Sequence, residues 1–113
     1  FGPFEACREN NVLCFGHFVD QAPLAPDVVV TSPVARWDPA GHYIVDTWWD
    51  HVTKGTPYDA PGDRIVFFMK DGGSELAPLG DMVPDDIKTE IEQLKAEIMA
   101  GTLDVPFNEA PVE

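Results

Sequence analysis

Cysteine is scarce in this chain: only Cys7 and Cys14 occur among 113 residues. Two thiols are too few for a disulfide framework, and no Cys-x-x-Cys spacing marks a zinc or redox motif. Basic residues are few as well. Seven Lys and Arg face 20 Asp and Glu, for a formal charge of -13. That balance argues against a nucleic-acid partner, because phosphates demand a basic face. It also disfavours docking on an anionic membrane through a basic patch. The acidic excess is suited to keeping a protein in solution. Long apolar runs are missing too: none nears the roughly 20 residues that span a bilayer. Phe1-Gly2-Pro3-Phe4 lacks the basic start and apolar stretch of a secretory leader. Without an initiator Met, the chain is expected to be a mature form or a piece of a longer polypeptide.

Several chemical signatures are absent. No glycine-rich phosphate loop is present, since Gly72-Gly73 is a lone pair in a turn. No Gly-x-Ser-x-Gly elbow occurs. Cys7, Cys14 and His17 are close in sequence, but a nucleophilic pair needs hydrogen-bond reach and an orienting group. Buried, inert thiols are the favoured reading. A Cys7–Cys14 disulfide would require geometry that sequence does not supply. His42, Asp46 and Asp50 recur at i, i+4 and i+8 of one helix face, where a metal or a solvated polar face would serve. The polar face is preferred, and no metal, cofactor or catalytic residue is assigned.

What is present is globular. A hydrophobic fraction of 44% and an aromatic fraction of 11% fit one domain with a modest core. Residues 1–10 read as a short helix, with Gly2 and Pro3 at its start and Asn10-Asn11 as its stop. Residues 12–16 and 28–31 are apolar on both faces, as buried parallel strands are. Residues 38–54 are expected to form a helix from Asp38-Pro39 to a stop at Gly55, with Tyr43, Ile44, Trp48 and Val52 as its apolar stripe. Adjacent helix positions diverge by about 100°, so of Trp48 and Trp49 one alone can face a core centrally. Residues 64–69 read as a third strand, 71–73 as a turn and 74–76 as a short extra strand. Residues 84–100 read as a helix ended by Gly101, with Ile87, Ile91, Leu94 and Ile98 on one face. Strands alternating with helices predict an α/β fold with a mostly parallel sheet flanked by helices.

Three stretches, in order, resemble one family. The first is Glu9 to Leu13 followed by Asp20-Gln21 and Leu24-Ala25-Pro26-Asp27. The second is Val30-Thr31-Ser32-Pro33-Val34. The third, the most specific, is Leu76-Ala77-Pro78-Leu79-Gly80-Asp81 ahead of Val83-Pro84-Asp85-Asp86-Ile87, with residues 101–107 trailing the helix. Together they are similar to the basic-membrane-lipoprotein group of substrate-binding proteins for ABC transporters. The resemblance implies a type I periplasmic-binding-protein-like fold. Residues 1–113 would then be a single C-terminal segment of a two-lobed solute-binding protein. It implies capture of a small solute, often a purine nucleoside, between lobes and delivery to an ABC permease. It places the protein at the periplasmic or extracellular face of the cytoplasmic membrane, held by a lipid anchor in a preceding part. No enzyme activity is implied. A ligand-sensing domain of a regulator or receptor with the same fold is the alternative.

Ligands of open α/β sheets sit beyond the carboxyl ends of strands. The candidates there are His17, Phe18, Asp20, Arg36, Trp37, Gly72 and Gly73. In nucleoside-binding members of the family an aspartate and a lysine hold the ribose hydroxyls. Those positions fall on Phe18 and Ala35 here, which removes polar contacts from the sugar side. Either the ligand lacks a ribose, as a free nucleobase does, or Asp20 and Arg36 substitute; the first is favoured. Phe18 and Trp37 would stack on a planar ring, or else serve as core. Asp20 would accept from a ligand amine or cap a loop. Arg36 would pair with a ligand or with Asp38.

Overall fold

Helices form where the chain's punctuation allows them. The computed structural model describes residues 2–58 and 65–106. Phe1, Arg64 and Phe107, which figure in the sequence expectations, lie outside that set. Helix α1 spans Gly2–Glu9, α2 Asp38–Lys54 and α3 Asp85–Ala100. Just beyond α1, Asn11 adopts φ 51, the left-handed region that Asn tolerates. Helix α2 carries proline in its first turn, where a missing N–H costs no bond. It stops at Gly55 (φ 67), whose N–H donates to the His51 carbonyl. Asp85 and Asp86 sit in the first turn of α3, facing the positive end of its dipole. Gly101 (φ 71) closes α3 by donating to the Glu97 and Ile98 carbonyls.

The sheet departs from expectation. Strands β1 (Pro33–Ala35) and β2 (Ser74–Leu76) pair antiparallel, with Val34 opposite Glu75. This two-stranded sheet replaces the mostly parallel one predicted, and the α/β, type I periplasmic-binding-protein-like assignment is corrected accordingly. Residues 12–16 and 28–31 make single parallel bridges and not strands: Cys14 with Val29, and further on Phe18 with Val34. Between those bridges one segment advances four residues and the other five, so the register slips. The Gly16 N–H accordingly donates to the Thr31 carbonyl at 2.9 Å, one residue past the place an even ladder would use. Pro33 removes a further donor. Residues 65–68 form no strand, and Met69–Asp71 is a turn of 3-10 helix.

The core is small. Ala25, Val28 and Val29 are buried together, and Phe4, Cys7, Cys14 and Ala22 pack on them. Val29 and Ser32 are wholly enclosed. The buried polar groups are satisfied: Thr31 Oγ1 donates to the Ala77 carbonyl at 2.7 Å, and Ser32 Oγ accepts from the Gln21 N–H at 3.0 Å. Residues 30–32 are flanked on the far side by residues 77–80, through Ala77 N–H to Ser32 O at 2.9 Å and Gly80 N–H to Val30 O at 2.7 Å. None of the three helices contributes a fully buried residue among those described. The α2 stripe is out in solvent, with Ile44, Val45, Trp48, Trp49 and Val52 each more than half exposed. The radius of gyration is 18.8 Å, against about 13 Å for a compact domain of this length.

Candidate functional site

Phe18 is held in an uncommon conformation. Its φ is 74, in the left-handed region, which costs an L residue about 1–2 kcal/mol. Two backbone bonds to β1 impose it: the Phe18 N–H donates to the Pro33 carbonyl at 2.9 Å, and the Ala35 N–H donates to the Phe18 carbonyl at 3.0 Å. The His17 N–H is tied to Gln21 Oε1 at 2.8 Å, which fixes the approach to this point. Strain of this kind persists only where the surroundings over-determine it, as they do at binding sites.

The consequence is an exposed aromatic platform. The Phe18 ring meets His17 edge-on at 5.4 Å between centroids. It lies 6.2 Å from the Trp37 ring, tilted by 31°. Phe18 is 46% exposed and Trp37 69%, so neither is a core residue and both offer a face to a planar partner. Phe18 and Ala35, on which the sugar-holding pair was expected to fall, are hydrogen-bonded neighbours, and both are apolar.

Arg36 stands beside the platform but is already engaged. Its Nε and Nη2 donate to Asp38 Oδ1 at 2.9 Å and Oδ2 at 3.2 Å, and Nη1 donates to Glu75 Oε1 at 3.2 Å. The Asp38 carboxyl is held below its ordinary range, first by the hydrogen bond from Arg36, and the Arg36 guanidinium is held above its own by Asp38 and then Glu75. The Arg36 N–H also donates to the Gly73 carbonyl at 2.9 Å. A Cβ on Gly73 would fall 2.0 Å from the Phe67 carbonyl oxygen, so only glycine fits. Gly72 takes φ 77, and a Cβ added there would meet the Pro39 ring at 3.6 Å. Gly72 and Gly73 thus shape the backbone under Arg36. Asp20 is turned into its own loop, where Oδ1 accepts from the Ala22 N–H at 3.0 Å.

Phe18, Trp37, Arg36 and Gly73 are therefore gathered around the end of β1, while Asp20 is occupied locally. Sequence reasoning missed Glu75 and Gln21 as supporting groups. Glu75 reaches Arg36 because it sits opposite Val34, two residues before Arg36, a diagonal relation visible only once the register is known. The His42, Asp46 and Asp50 stripe does not assemble a site: among the described residues no group of three His, Cys, Asp or Glu is placed to hold a metal ion. Also among them, no helix is long and apolar enough to cross a membrane.

No family model matches the sequence. The chain is 32% identical over 103 residues to a purine-binding protein of Brucella abortus strain 2308, a stretch that is 91% of this chain and 27% of that protein. The structure superposes on a transcriptional activator of the comK gene from Bacillus halodurans with a TM-score of 0.68 at 19% identity, over 88% of this chain and 33% of that one. That second likeness speaks to fold alone, and the neighbour is described as an activator and not as a periplasmic binding protein. The chain thus spans about a quarter of the curated relative and a third of the solved one. The sequence relationship is to a purine-binding protein.

Proposed function

We propose that this chain is the C-terminal segment of a two-lobed solute-binding protein of the basic-membrane-lipoprotein family, serving an ABC importer. Its ligand is a purine, stacked on Phe18 and Trp37. The observation that carries the reading is the Phe18–Trp37 platform, held open by a strained backbone, in a chain related to a purine-binding protein. A free nucleobase suits it better than a nucleoside, because the adjacent Phe18 and Ala35 offer no side-chain polar group to ribose hydroxyls. Capture needs no covalent chemistry: ligand binding shifts an equilibrium between open and closed forms, and the closed form is presented to the permease. The setting is the outer face of the cytoplasmic membrane, with a lipid anchor in a preceding part of the polypeptide.

Calorimetric titration of the full-length protein with adenine, guanine, xanthine and their nucleosides tests this. Bases are expected to bind more tightly than nucleosides. Tight nucleoside binding with indifference to bases would remove the nucleobase argument, and no heat from any purine would remove the reading as a whole.

A further inference from the structure

Cys7 and Cys14 take no part in the aromatic platform, yet the fold brings them to one place. Cys7 is in the last turn of α1. The left-handed Asn11 turns the chain back, with the Val12 N–H donating to the Cys7 carbonyl at 3.0 Å. Cys14 then bridges Val29, and its Sγ donates to the Val28 carbonyl at 3.5 Å. Both thiols are free, both are half-buried, and both pack on the same Ala25, Val28 and Val29 cluster. Burial, and after it the neighbouring Cys7 thiol, pushes the Cys14 thiol above its ordinary pKa.

We propose that Cys7 and Cys14 are a dithiol that closes into an intrachain disulfide, fastening α1 to the segment that bridges Val29. The oxidant class is a small disulfide such as glutathione disulfide. One protein thiolate attacks it, forming a mixed disulfide and expelling one glutathione thiolate. The other protein thiolate then attacks the protein sulfur of that mixed disulfide, forming the Cys7–Cys14 bond and expelling the second glutathione. The two protein thiols give up two electrons and two protons, and glutathione disulfide leaves as two glutathione thiols.

The chain itself supplies the assay, because Arg8 lies between the two cysteines. The full-length protein is incubated with glutathione disulfide, alkylated, denatured and cut with trypsin, which severs the backbone after Arg8. The peptide ending at Arg8 and the peptide beginning at Glu9 are expected to travel as one species until a reductant is added. Cys7→Ser is expected to abolish that species and leave a single glutathione on Cys14. The unfolding midpoint of the wild-type protein is expected to rise on oxidation and fall back on reduction. Unreacted thiols, two separate glutathione adducts, or links between chains in place of the joined peptides would each overturn the proposal.

Discussion

The Arg8 guanidinium holds the Asp27 carboxylate in a fork, Nε to Oδ2 at 2.5 Å and Nη2 to Oδ1 at 2.6 Å, across 19 positions of chain. This bidentate pair, with Glu5 as a second acceptor on Nη1 at 2.8 Å, pins α1 to the loop before Val28. The hydrogen bond from Arg8 is the main reason the Asp27 carboxyl is held down to about 2. A carboxyl whose folded value lies below its unfolded one stabilises the fold above the ordinary value of about 4. That contribution is lost as pH falls through about 2. Asp27→Asn is therefore expected to be less stable than wild type at pH 7, by a small margin because the pair is exposed, and the two should converge by about pH 2. Denaturant unfolding at a series of pH values measures the difference.

Phe18 offers a test that separates ring from backbone. Phe18→Ala and Phe18→Gly both remove the ring, but only glycine accepts φ 74 without strain. Phe18→Gly is expected to be about 1 kcal/mol more stable than Phe18→Ala, while both lose purine affinity. Paired denaturation and titration experiments on the two variants check it.

Trp37 is more than two-thirds exposed, so its removal should leave the fold intact. Trp37→Ala is expected to weaken purine binding by about tenfold, in line with a lost stacking face of about 1–1.5 kcal/mol, with the unfolding midpoint nearly unchanged. Equal binding by variant and wild type would remove Trp37 from the site.

Gly73→Ala should act at a distance from any ligand. The new methyl collides with the Phe67 carbonyl, so the turn must shift and carry its bond to Arg36 with it. A loss of about 1–3 kcal/mol in stability is expected, read by denaturant unfolding.

Val29 is wholly enclosed. Val29→Ala is expected to cost about 2 kcal/mol, a large share of what so small a core can supply. Thermal unfolding measures the loss.

The helices and their stops were legible in the sequence because glycine, asparagine and first-turn proline carry unambiguous backbone chemistry. Gly55 and Gly101 stand in the left-handed region at the ends expected of them, and residues 74–76 form the short strand anticipated. That residues 12–16 and 28–31 would fall short of the expected parallel strands was not legible. An apolar run such as residues 12–15 has no period that separates a buried strand from a bridged, half-exposed segment. Nor does the run reveal that the segment pairing with it holds one residue too many. At the candidate site, the sequence pointed to Phe18 and Trp37, and the fold brings their exposed rings near each other. The left-handed backbone that presents Phe18 was not legible, because aromatic side chains normally avoid it. In the folded chain Asp20 caps its own loop and Arg36 pairs with Asp38, with Glu75 added by a register that only the folded chain displays.

The uncovered stripe on α2 has a spectroscopic consequence. All three tryptophans, Trp37, Trp48 and Trp49, stand more than half in solvent. Their combined emission should be red-shifted and open to quenching by iodide or acrylamide in this chain on its own. Trp48 and Trp49, with ring centroids 6.1 Å apart on α2, would report whatever surface comes to lie over that helix. Trp37, at the end of β1, would instead report the arrival of the proposed purine beside Phe18. Blue shift and shielding can then be apportioned by replacing Trp37 with Phe, so that the chain carries one fluorescent gauge for docking and another for ligand.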